Sequence, residues 1–329
     1  MITEPRLYSL VGSLLDPLGI AVVRRKTLDR LVRELSALKS SATAENAQDP
    51  SMAPRAKAQE AAADLASAPG EFWKTIIRHQ IASKWSAIDH IARMFGASQG
   101  ERACPICNHI ATQSAFRELN SHCIFGGGVL LRHQCPDCSL VFGPDKMLNM
   151  TPQELTQDYE WHYQVYEEGD STPQEMRAFA ALNPSREGVY LNYGAGGWSR
   201  SVQMLRSEGW QVYAYEPHLS AAADLTTGTI SDKKVLDGMQ FDGIYSNNVL
   251  EHLRHPVGEL RYLAERLKTG GNMAHVTPCF EYLYEYTRFH LFFFLGRSRN
   301  ELVSHAGLVE KDFIEDGEFK CGVWQKRDQ

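Results

Sequence analysis

From residue 187 onward, short apolar stretches alternate with amphipathic ones. Val189–Tyr193, Gln211–Tyr215, residues 243–246 and residues 272–276 read as strands, and residues 199–207 and 257–267 as helices. Such alternation predicts an α/β domain: a parallel sheet with helices on both faces. After it the pattern gives a helix over residues 299–306 and two short strands around Asp312 and Val323. Upstream the pattern changes. Leu28, Leu31, Val32, Leu35 and Leu38 recur at helical spacing behind Thr27, a good N-cap, so residues 1–40 read as a helical segment. Residues 41–70 are rich in Ala, Ser, Gln and Pro and nearly lack large apolar side chains. They cannot bury enough surface to offset their ordering entropy, which predicts a flexible linker. Over residues 71–100, Ile77, Ile81, Trp85, Ile88 and Phe95 mark one face of an amphipathic helix suited to core or interface packing. Residues 101–150 form a small cysteine-bearing module. Residues 151–186 connect it onward, with Tyr159, Trp161, Tyr163 and Tyr166 set among acidic residues.

Composition narrows the classes. Of 329 residues, 43% are apolar and 22% charged, the balance of an ordinary globular chain. The net charge is −6, and residues 151–329 carry 17 basic against 26 acidic side chains. No segment offers the basic surface by which proteins grip nucleic acid. No apolar run reaches the 18 or so residues of a membrane span. We read no export signal at the start, which predicts a reducing, cytoplasmic setting. There the seven cysteines point to metal binding and not to disulfides.

Four of those cysteines form two matching pairs, Cys104-Pro-Ile-Cys107 and Cys135-Pro-Asp-Cys138. Two thiolates three positions apart on a tight turn bind one face of a tetrahedral ion, so the pairs predict a structural Cys₄ zinc ribbon. Cys123, His109 and His122 lie between the pairs as possible substitutes. Asn108 and Ser139 follow the turns, where a left-handed residue, often Gly, is usual.

Val189-Tyr-Leu-Asn-Tyr-Gly194-Ala-Gly196-Gly197 reads as strand, glycine turn and helix start. Glycines let the backbone pass close to a ligand, and a helix N-terminus offers free N–H groups. Twenty residues past Gly196 stands Glu216, at the end of the second strand, well placed to accept hydrogen bonds from two ribose hydroxyls. The pair predicts adenosine binding. A dinucleotide fingerprint would place Gly where Ser199 stands.

Two further segments sharpen this reading. Phe241-Asp-Gly-Ile-Tyr-Ser-Asn-Asn-Val-Leu-Glu-His252-Leu-Arg-His-Pro256 is followed by Leu267-Lys-Thr-Gly-Gly. Here the chain resembles the class I S-adenosylmethionine-dependent methyltransferases, over about residues 187–307. The zinc ribbon ahead of the domain resembles a variant of that family. The resemblance implies a Rossmann-like sheet over residues 187–329, with S-adenosylmethionine bound by Asn192, Gly194, Ala195, Gly196 and Glu216. It implies Asn247 and Asn248 near the sulfonium and acceptor. Two positions depart from the family pattern. Asn192 replaces an acidic residue on the first strand, and for the usual third-strand acid only Asp232 and Asp237 offer themselves. His252 is the candidate catalytic base, with a structural role for Glu251 and His252 as the alternative.

The expected acceptor is a sugar, glycan or other small polar molecule methylated on a hydroxyl. The alternatives are an RNA methyltransferase docking through its zinc ribbon and a degenerate, non-catalytic scaffold. Self-association or partner docking is expected of the N-terminal helices.

Overall fold

The computed structural model describes residues 55–95, 100–167, 169–197, 199–217 and 228–327. The segment 1–40, expected as helical, and residues 41–54 lie outside the described residues. The chain divides into two units, Met1–Thr75 and Ile76–Gln329. Helix α1, Arg55–Phe95, begins inside the stretch expected as a linker. Residues 55–68 are rich in alanine, the strongest helix former, so low apolarity there does not prevent a helix. Of the predicted apolar face, Ile81 and Trp85 are fully buried and Ile77 and Ile88 half-buried. Among the described residues no helix is long and apolar enough to cross a membrane.

The cysteine module follows. Strands β1 (Glu101–Ala103) and β2 (Ile110–Thr112) form a two-stranded ladder, and β3 (Arg117–His122) pairs antiparallel with β4 (Val129–Gln134), then β4 with β5 (Val141–Phe142). The short helix α2 spans Asp145–Leu148. The expected connecting segment is helical. Helix α3 (Pro152–Val165) starts on a capping box between Thr151 and Glu154, and α4 covers Thr172–Ala181.

The seven-stranded sheet is built from β6 (Val189–Tyr193), β7 (Gln211–Tyr215), β8 (Thr229–Ile230), β9 (Phe241–Asn247), β10 (Leu267–Val276), β12 (Leu308–Asp316) and β13 (Phe319–Lys326). Its order is β8-β7-β6-β9-β10-β13-β12. The first five strands are parallel, and β13 runs antiparallel to both β10 and β12. The two expected short strands at the end are therefore a long hairpin on the sheet edge. Side chains alternate between faces, as the pleat requires. Tyr190, Val212 and Tyr245 pack with α4 and with α5 (Arg200–Ser207). Leu191, Ile244 and Met273 pack with α6 (Lys233–Leu236), α7 (Pro256–Glu265) and α8 (Ser298–His305). The predicted Rossmann-like α/β architecture is thus present.

One strand crosses the expected boundary. Strand β11 (Phe292–Phe293), in the segment after β10, pairs antiparallel with β5, giving a four-stranded sheet β11-β5-β4-β3. Side-chain bonds add to this join. The buried Arg132 guanidinium of β4 donates to the backbone carbonyls of Glu285, Thr287 and His290. Buried Arg288 donates to buried Asp158 of α3 at 2.6 Å, and Lys84 of α1 donates to the same carboxylate at 2.9 Å. Such a fully buried pair fixes geometry more than it adds stability.

Candidate functional site: a cysteine cluster and a glycine crevice

The two cysteine turns superimpose in their bonding. Asn108 N–H donates to the Cys104 carbonyl and Cys104 N–H to His109; Ser139 N–H donates to Cys135 and Cys135 N–H to Leu140. Asn108 and Ser139 both take left-handed φ, 59° and 69°, as their positions predicted. Cys104, Cys107, Cys135 and Cys138 converge. Their Sγ atoms stand 3.6 Å apart for Cys104–Cys138 and 3.7 Å for Cys107–Cys135. Zinc–sulfur bonds of about 2.3 Å at tetrahedral angles require an edge of roughly 3.8 Å, so the donor set fits a closed zinc site. Cys123, His109 and His122 stand outside the cluster. Cys123 lies instead beside the Arg288 guanidinium.

The crevice lies where the chain order of the sheet reverses. Strand β6 has β7 on one side and β9 on the other, so the loops leaving β6 and β9 diverge at their carboxyl ends, the usual ligand position in such sheets. The β6 loop is fixed by the Tyr215 carbonyl, which accepts from the Gly194 and Ala195 amides at 2.9 and 3.0 Å. Gly194 has φ of 74°, and a Cβ there would stand 2.6 Å from Val249 of the β9 loop, so only glycine fits. Around Gly196 a Cβ would meet nothing within 4 Å, which leaves the backbone face open to a ligand. The Gly196 amide donates to the Glu216 carboxylate at 3.0 Å. Glycine turn and predicted ribose carboxylate thus face each other across the opening, a cradle that fits an adenosine-bearing cofactor.

Asn192 is buried on β6 and its amide donates to the Glu175 carboxylate at 2.8 Å. The same oxygen accepts from the Ser199 hydroxyl at 3.0 Å and from Ser201, while the other accepts from Ser171 at 2.6 Å. The negative charge missing from the first strand is therefore supplied by α4, and it ties that strand to the N-terminus of α5. Sequence reasoning missed Glu175. The signal was present in Asn192 itself, together with two serines just past the glycine turn.

Of the two candidates for the third-strand acid, Asp232 follows directly on β8, at the carboxyl end of the third strand, and caps α6. Asp237 is held away by Arg266 and Tyr262. At the end of β9, the Asn247 side-chain oxygen is buried without a hydrogen-bond partner, whereas Asn248 is exposed with φ of 54°.

His252 lies in the turn Leu250–His252. Its Nδ1 stands 3.0 Å from the Tyr159 hydroxyl, and the Phe289 carbonyl accepts from the ring. Burial lowers its pKa to about 4, so the ring is neutral at physiological pH, the form that can take up a proton. Tyr159, noted in the sequence only as one aromatic of several, stacks on Phe289 at 4.3 Å between centroids and is the polar group that reaches this histidine. His255 is exposed, and His275 is fully buried on β10 against Ser246. Of the aromatic stretch after β10, Phe289 and residues 291–294 are core.

Residues 166–308 match the family model of a methyltransferase domain. No curated protein sequence is recognisably similar to the chain. Among solved structures, a methyltransferase of calicheamicin biosynthesis in its SAH-bound form is 13% identical over 54% of this chain and 59% of its own, with a TM-score of 0.39. The mitomycin 7-O-methyltransferase is 14% identical over 55% and 60%, with a TM-score of 0.38. The 1,6-didemethyltoxoflavin N1-methyltransferase of Burkholderia thailandensis is 16% identical over 60% and 96%, with a TM-score of 0.43. The chain spans about three fifths of the length of the first two. Over residues 166–308, then, the sequence follows the pattern of a methyltransferase domain.

Proposed function

We propose that the chain O-methylates a sugar, glycan or other small polar acceptor, binding S-adenosylmethionine in the glycine crevice and zinc at the four cysteines. The observation that carries this reading is the Gly196 amide set against the Glu216 carboxylate at the sheet's reversal point. In it, Glu216 accepts from the ribose hydroxyls, and the backbone of Gly194, Ala195 and Gly196 passes along the ribose and methionine. Asn192 acts through Glu175, holding the turn. Asn247 and Asn248 border the sulfonium and the acceptor. The cofactor supplies a methyl group already activated on a positive sulfur. The protein then has to align the acceptor and receive its proton. We assign that proton to His252, whose ring is held by the Tyr159 hydroxyl 3.0 Å from Nδ1. The closed cysteine cluster has no open position and serves folding.

Low positive charge supports a neutral acceptor, since residues 151–329 carry 17 basic against 26 acidic side chains. The test is methyl transfer from labelled S-adenosylmethionine into a cell extract, followed by fractionation. Label is expected in the glycan or small-molecule fraction. Label mainly in RNA, with binding that weakens steeply with salt, overturns the acceptor class. Absence of any S-adenosylmethionine binding in a titration overturns the enzymatic reading and leaves a scaffold.

A further inference from the structure

Where the turns after β9 and β10 meet the start of β11 lies a second cluster of metal-ligating side chains. Glu251 follows β9 in the turn Leu250–His252, and Cys279 follows β10 in the turn Pro278–Phe280. His290 lies just before β11. One ligand atom from each stands within 4.8 Å of the other two, and Cys279 Sγ is 3.3 Å from His290 Nδ1. Glu251 is fully buried, and beyond its own amide and the neighbouring Thr277 hydroxyl no polar group of the described residues reaches its carboxylate oxygens. A carboxylate so thinly partnered carries a large desolvation penalty, which a cation would remove.

The surroundings hold the three ligands as a metal site would require. The Tyr284 carbonyl accepts from the His290 ring, which leaves Nδ1 turned to Cys279. A backbone carbonyl on the second ring nitrogen is the common way to orient a metal-ligating histidine. Arg132 clamps the His290 carbonyl, and the Leu291 amide donates to the Glu251 carbonyl at 2.8 Å. Zinc bonds to sulfur and nitrogen set the two donors roughly 3.5 Å apart in a tetrahedron, close to the observed contact. The carboxylate lies within 4.8 Å of both and would close in on them to complete the set. A thiolate, a carboxylate and a neutral imidazole neutralise a divalent ion, and the thiolate disfavours magnesium and calcium.

We propose that Glu251, Cys279 and His290 form a second metal site, for a zinc-like divalent ion, with one coordination position open. Three protein ligands plus an open position is the pattern of a zinc that binds an exchangeable oxygen or sulfur group, unlike the closed Cys₄ cluster. The inference does not depend on the methyl-transfer reading.

The test uses the full chain loaded with zinc, then desalted and analysed for metal. About two equivalents per chain are expected, falling to about one in Glu251→Gln and in Cys279→Ser. Cobalt loading gives a second readout. The second equivalent should add the sulfur charge-transfer intensity of one thiolate, about a quarter of that from the four-cysteine site. One equivalent in the wild-type chain overturns the proposal. So do two equivalents retained by the Glu251→Gln, Cys279→Ser double variant. If that variant fails to fold, the wild-type cobalt spectrum decides, and the absence of a single-thiolate component overturns the site.

Discussion

The cysteine cluster and the glycine crevice are assembled in opposite ways. All four sulfurs come from two turns of the same sequence type, and each turn carries its own hydrogen-bond pattern and left-handed residue. The crevice gathers Asn192 from β6, Glu175 from α4, Ser199 and Ser201 from the start of α5 and Glu216 from β7. The cluster is local and admits no substitute, since each sulfur must sit at a tetrahedral corner. The crevice is distributed, so a charge absent from one element can be supplied by another. Asn192 and Glu175 are that case.

The largest effect should come from the local region. Cys135→Ala with Cys138→Ala removes half the ligands of a site whose apparent binding energy at neutral pH is about 10 kcal/mol or more. About one zinc equivalent and the cooperative unfolding transition should both be lost. Full zinc retention with unchanged melting would break the comparison at its first term.

Next is Glu175→Ala, which removes the shared charged acceptor of three buried donors, at roughly 1 kcal/mol each. Stability should fall by about 3 kcal/mol in denaturant titration, and S-adenosylmethionine affinity should fall with it. The sharper test moves the charge: Glu175→Gln combined with Asn192→Asp should recover much of both losses. If the pair is worse than Glu175→Gln alone, the charge is not transferable between elements and the crevice is less distributed than argued.

Glu216→Ala should raise the S-adenosylmethionine dissociation constant at least tenfold, since each charge-assisted bond is worth about 1.5–3 kcal/mol. Melting should barely change, because the carboxylate lies at the rim. An unchanged constant would place the ribose elsewhere.

The smallest effect concerns the sheet floor beneath the crevice. Burial on β10 lowers the His275 pKa from 6.5 to about 3. The unfolded chain therefore takes up this proton first, and stability falls as pH drops below about 6.5. The loss should be about 2 kcal/mol between pH 6.5 and 5. His275→Gln should flatten that slope in urea titrations; an unchanged slope would mean that other groups govern it.

Legibility in the sequence followed the same division. The cysteine pairs, their left-handed followers and the strands β6, β7, β9 and β10 were all readable, because spacing and apolar runs are local signals. Strand β8 was not, being two residues long. The helices over residues 151–186 were missed although Thr151-Pro-Gln-Glu154 is a capping-box sequence. Glu175 looked like any charge on a helix until tertiary packing buried it beside Asn192. The pairing of β11 with β5 joins residues about 150 positions apart, and no window of sequence reports that.

That pairing bears on how such a chain could be recombined. Each cysteine turn touches the segment beyond β10: His305 Nδ1 lies 2.7 Å from the Ile106 carbonyl, and Arg297 donates to Asp137 at 2.7 Å. A chimera that exchanges residues 101–150 alone would leave β11 without its partner and both turns without their buttresses. The transferable block is discontinuous, comprising the cysteine module together with the stretch from Cys279 to His305. Domain shuffling at the boundary drawn from sequence would cut through a sheet, whereas a graft carrying both pieces would keep β11 on β5 and both cysteine turns on their buttresses.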